Sequence, residues 1–118
     1  MFKLIRDNIP EIMEKEGQIC NFAQIRNPEL LTGFLREKLI EEVNEFLMSN
    51  PTSDESLAEL VDIMTVVNAI YTLGGIDDET FAKLYKDKLA EKGGFKNALI
   101  MFIPDPIQQG DANTHEAQ

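Results

Sequence analysis

At 118 residues and 43% apolar content, the chain is one domain's worth and can bury one modest core. Its 21 acidic against 11 basic residues give a formal charge of −10, which speaks against binding a nucleic-acid polymer, a task that needs a basic face. One cysteine, no run of about 20 apolar residues and a charged start, "MFKLIRDNIPE", predict no internal disulfide, no membrane span and no signal peptide, and so a cytoplasmic protein.

"FKLI" reads as a short extended segment, and "RDNIP" breaks it. Asp7 or Asn8 is placed to cap a helix over about 9–16, with Pro10 in its first turn and Gly17 at its end. "QICNFAQI" is a loop or a weak strand. Asn27 caps a long helix that starts at Pro28 and runs to about Ser49. After the turn "NPTSDE", Ser53 or Asp54 caps a helix from about Glu55 to Leu73, which stops at Gly74-Gly75. Asp77 caps a fourth helix through about Glu91, with Lys86, Lys88 and Lys92 near its carboxyl end, where cations suit the dipole. Gly93-Gly94 turns the chain into "FKNALIMFI", a closing strand, and 104–118 form a tail without apolar periodicity. The expected fold is all-α, one domain over 1–103.

The carboxylates in the two long helices are the anomaly. Counting about 100° per residue from Leu35, Leu31 falls near 320° and Glu42 near 340°, so Glu42 lies inside the apolar stripe. Glu45, near 280°, borders that stripe and Glu41, near 240°, stands further out. From Leu60 to Leu73 ten of fourteen residues are apolar and point in every direction, which predicts a helix covered on most sides. Glu59 and Asp62, three residues apart, share a face near its start. A short connection favours antiparallel neighbours, which would bring Glu42 and Glu45 opposite Glu59 and Asp62. Four such acids in a partly dry place need protons or a cation. Oxygen-only ligation points to Mg²⁺, with Mn²⁺ as a substitute. A di-iron centre would want paired histidines on the helices, and the sole histidine, His115, is in the tail.

The ordered set Glu41, Glu42, Glu45, then Glu59 and Asp62 resembles the Glu-Glu-x-x-Glu and Glu-x-x-Asp pattern of the MazG-type all-α nucleoside triphosphate pyrophosphohydrolases. Within that superfamily, "LIRDNIPEIM", "KLIEEVNEF" and "KLAEKGGF" resemble the phosphoribosyl-ATP pyrophosphohydrolase-like branch, with matches from residue 4 to about 102. The resemblance implies a four-helix antiparallel bundle-like fold in which Glu42, Glu45, Glu59 and Asp62 hold Mg²⁺. It also implies cleavage of a nucleoside triphosphate between its α and β phosphates, with removal of non-standard nucleotides as the role such cleavage would serve. Glu41 is the candidate catalytic carboxylate: it would polarise the attacking water or reach a second metal, unless it is an exposed helix acid. Arg6, Lys38, Lys88 and Lys92 are the candidate phosphate-facing cations, although Arg6 and Asp7 would equally make an ordinary ion pair. Asn8 and Lys92 depart from the lysine and arginine usual in the branch, and Thr65 stands where relatives often carry another acid.

Asn68 would read a base or bond a neighbour, while Phe34, Phe46 and Tyr71 are expected to pack. Cys20 is expected to be a buried, inert thiol. A long apolar third helix that its neighbours cannot fully cover predicts a homodimer or a higher homo-oligomer. The competing reading is a non-catalytic metal- or nucleotide-binding helical module.

Overall fold

The ends of the helices are set by side chains that replace missing backbone partners. The computed structural model describes residues 2–105 and contains four α-helices: α1 (Ile9–Lys15), α2 (Pro28–Met48), α3 (Asp54–Leu73) and α4 (Asp78–Lys92). Asn27 Oδ1 accepts from the backbone N–H groups of Glu29 and Leu30 at 2.8 and 3.1 Å, and Pro28 opens α2 where no N–H is needed. Ser53 Oγ accepts from Ser56 N–H at 3.1 Å to start α3, which settles the choice between Ser53 and Asp54. Asp77 Oδ1 accepts from Thr80 N–H at 2.8 Å, and the Thr80 side chain, together with that backbone bond, holds the Asp77 carboxyl below its ordinary range. Asn8 precedes α1 but caps nothing with its side chain.

The described chain divides into two compact units, residues 2–84 and 85–105. In the first, α2 and α3 pack together. Leu35 from α2 and Val66 from α3 are buried between neighbours, and so are the polar Glu42 and Ser56. Neither α1 nor α4 buries a residue. Tyr71 stacks on Phe81 with ring centroids 4.1 Å apart and planes 11° from parallel. Asn68 and Tyr71 both donate to Asp78 Oδ1, at 2.8 and 2.6 Å, so the end of α3 is tied to the first turn of α4. The bond to Asp78 also raises the Tyr71 phenol above its usual range. Asn68 and Tyr71 are thus engaged in local structure.

Three expectations are corrected. Residues 95–103 form no strand: Ala98 N–H bonds back to Phe95 O at 3.1 Å, and Ala98 sits at φ +52°, a left-handed turn that an extended run cannot contain. Phe95 and Ile100 there are almost wholly exposed. Cys20 is exposed, because the segment between α1 and α2 adds little to the core. Finally, α3 is not covered on most sides. Leu57, Leu60, Val61 and Met64, an i, i+3, i+4, i+7 set on one face, are all exposed, Leu57 and Met64 by 62% and 61%. A seven-residue α1 is too short to cover a helix of 20.

By length and composition alone α3 could cross a membrane, with a mean hydropathy of 1.4 over 18 residues, which the sequence reading did not foresee. Its Glu59 and Asp62 would be costly at such a depth. Most of the tail, 106–118, lies outside the described residues, and His115 with it.

Candidate metal centre

Glu42 is where helix packing and charge collide. It lies one residue before Val43 on the face of α2 that meets α3, and its side chain is only 8% exposed. One oxygen, Oε2, is 3.3 Å from Lys38 Nζ, one turn earlier on the same helix. The other, Oε1, is buried without a hydrogen-bond partner. An ionised oxygen left so is expensive unless something cationic reaches it.

Other acids converge on Glu42. Carboxylate oxygens of Glu42, Glu59 and Asp62 lie within 4.8 Å of one another, and so do those of Glu41, Glu42 and Glu45. The two triads share Glu42. All four expected metal ligands are therefore brought together, three of them from the α2–α3 contact and Glu45 from the more exposed edge. Such oxygen-only sets would suit Mg²⁺ or Mn²⁺ better than softer metals, and Glu42 Oε1 is the buried oxygen left without a partner.

The crowding shows in the titration of Glu59. Desolvation, contacts with the Glu45 and Asp62 carboxylates and their negative charges push its pKa up to about 7. Glu41 moves the other way. Partial burial works to raise it, but the hydrogen bond from Lys3 and the charges of Lys38 and Lys3 prevail, and its pKa falls below the ordinary value.

Basic side chains sit against these acids. Arg6 Nη1 donates to Asp62 Oδ1 at 2.8 Å, across 56 positions of sequence, so its partner is Asp62 rather than Asp7. Lys38 Nζ is also 3.4 Å from Glu41 Oε2. Lys3 Nζ, which no sequence pattern singled out, is 3.2 Å from the same oxygen. Only the fold brings Lys3 to α2.

No protein-family model matches the sequence, and no curated protein or solved structure matches it. The site therefore has to be read from its own chemistry. Of the four expected phosphate-facing cations, Arg6 and Lys38 are paired with these acids. Lys88 and Lys92 fall on the last turns of α4, in the second unit, whereas the acids and their ion-pair partners all belong to the first. Gly93, at φ +78°, has a turn to make after α4, which accounts for a glycine there without a ligand. Thr65 donates its hydroxyl to Val61 O at 2.9 Å.

Proposed function

We propose that the protein is a Mg²⁺-dependent nucleoside triphosphate pyrophosphohydrolase, cleaving between the α and β phosphates to give a monophosphate and pyrophosphate. The observation that carries this reading is Glu42: a buried carboxylate with one oxygen unpartnered, shared by two acid triads. A cluster of that kind is a poor stability device, because the ion pairs from Lys3, Arg6 and Lys38 still leave Glu42 Oε1 buried and unpartnered. It is a good place to concentrate divalent charge. The motif order around Glu41, Glu42, Glu45, Glu59 and Asp62 supports the same class.

Glu42, Glu45, Glu59 and Asp62 would hold Mg²⁺, with Glu41 able to join Glu42 and Glu45 in a second set. Bound there, Mg²⁺ offsets phosphate charge and makes a water more acidic. Arg6 and Lys38, now paired with Asp62 and Glu42, are placed to turn to phosphate oxygens once the carboxylates are otherwise engaged. Water adds to the α phosphorus and the bond to the bridging oxygen breaks, so that pyrophosphate leaves. The departing water proton needs an acceptor. Glu41, the carboxylate outside the four-ligand set, would take it, because Glu59 as a ligand would be engaged with the cation, which offsets the carboxylate repulsion behind its raised pKa.

A second copy of the chain would cover the exposed face of α3 and complete an antiparallel bundle-like assembly, a homodimer in the cytoplasm. The second reading is a metal- or nucleotide-binding module without turnover. It is favoured by the ion pairs of the site itself: Arg6, Lys38 and Lys3 are already engaged with Asp62, Glu42 and Glu41. The deciding experiment is pyrophosphate release from a panel of common and modified nucleoside triphosphates with Mg²⁺, for the wild type, Glu42→Gln and Asp62→Asn. Turnover lost in both variants with the fold kept supports the hydrolase. Turnover near wild type in both removes the metal assignment.

A further inference from the structure

Beside the acids, the first unit has a half-open cavity of about 720 Å³ between the segment around residues 4–12, α2 and α3. That lies within the range of about 300–1,000 Å³ typical of small-molecule sites. The walls are of two kinds. Arg6, Lys38, Glu42 and Asp62 line one part, so the cavity is continuous with the candidate metal centre. Ile5, Ile9, Leu31, Val66 and Ala69 line much of the rest. A triphosphate held at the charged wall would have its nucleoside end against an aliphatic one.

We infer that this cavity is the nucleoside subsite, and that the N-terminal segment is its specificity wall. The inference rests on the acids being a triphosphate site, and it extends that reading to the base and sugar. A flat, weakly polar base loses water-exposed area between branched aliphatic side chains. Asn8 stands at the rim of the cavity, and its side chain makes no capping bond to α1. A carboxamide offers both a donor and an acceptor, so Asn8 can pair with the edge of a base and favour the pattern that matches it. Ala69 matters for a different reason. It is the small residue of the α3 wall, and enlarging it shortens the space available to a base while leaving the acids untouched.

The test is calorimetric binding in Mg²⁺ of α,β-imido analogues of dATP, dGTP, dCTP and dUTP, set against tripolyphosphate, which has no nucleoside. The wild type should bind at least one analogue about tenfold or more tighter than tripolyphosphate, the scale of a filled apolar pocket. Ala69→Leu should erase most of that preference while tripolyphosphate affinity holds. Asn8→Ala, at an exposed rim position that does not load the core, should narrow the spread among the four analogues. Three results would overturn the inference: no analogue preferred over tripolyphosphate, an unchanged preference in Ala69→Leu, or equal weakening of both ligand classes. Preferential nucleotide binding without hydrolysis keeps the subsite and removes only the hydrolase.

Discussion

Replacing Glu42 by glutamine separates a functional acid from a structural ion pair. At an effective dielectric of about 20, the 3.3 Å contact with Lys38 is worth about 5 kcal/mol of attraction. On the same scale Asp62, with an oxygen no more than 4.8 Å away, repels Glu42 by about 3.5 kcal/mol. Glu45, in the other triad, adds to that repulsion, and burial of the unpartnered Oε1 adds a desolvation cost. The opposing contributions nearly cancel. Lys38 would also keep a partner in the variant, since Glu41 lies 3.4 Å away. Metal-free Glu42→Gln should therefore match the wild type to within about 1 kcal/mol, whereas breaking an ordinary buried pair costs about 3–5 kcal/mol. Thermal melts in EDTA resolve the two, at roughly 4–8 °C per kcal/mol for a domain near 100 residues. With Mg²⁺ at about 100 times Kd, the wild type should gain about 2.7 kcal/mol and the variant almost nothing. A variant that loses 3 kcal/mol or more in EDTA makes Glu42 a structural anchor. One that keeps the full Mg²⁺ shift is not missing a ligand.

Three further outcomes follow from the same geometry. Lys38→Met removes the cation from a buried carboxylate and should cost about 3–5 kcal/mol without metal, a loss that Mg²⁺ largely recovers; equal stability of Lys38→Met and Glu42→Gln in EDTA would contradict this. Glu59 keeps its proton in the folded state up to about pH 7 but gives it up near 4.5 when unfolded, so the metal-free stability it contributes declines as pH rises across that window and is flat above it. Urea titrations of wild type against Glu59→Gln isolate this slope, and parallel curves would show that Glu59 titrates normally. Val66→Ala opens a gap in a small core and should cost about 1–3 kcal/mol; a change near zero would place the stabilising contacts elsewhere.

The four helices were readable because their ends are local. Asn27, Ser53 and Asp77 each satisfy an N–H within three positions, and proline and glycine mark the boundaries, so no distant contact is needed to place them. Glu42 was readable for a similar reason: a 3.6-residue period puts it inside a stripe of leucines whatever lies opposite. Lys3 and the Arg6–Asp62 pair were not readable in the same way. Arg6 reaches across 56 positions, and nothing near it in sequence distinguishes Asp62 from Asp7 as its partner. The expected strand at 95–103 failed because apolar content predicts burial, while a strand also needs a neighbour to bond, and none is present among the described residues.

The exposed stripe on α3 and the acids near its start belong to one problem. If α3 were a core helix of a closed monomer, Leu57, Val61 and Met64 would be covered, and Glu59 and Asp62 would be misplaced charges along its length. If it is instead a helix with one face to α2 and another to a second copy, the acids face inward to the α2 contact while the apolar stripe remains for the partner. Dimerisation and metal binding then act on different faces of the same helix. If the chain is the proposed dimer, replacing Met64 by lysine should dissociate it in sedimentation while leaving the Mg²⁺-dependent melt of each subunit, since Met64 belongs to neither acid triad. Joint loss of both properties would show that the centre is completed only across the interface.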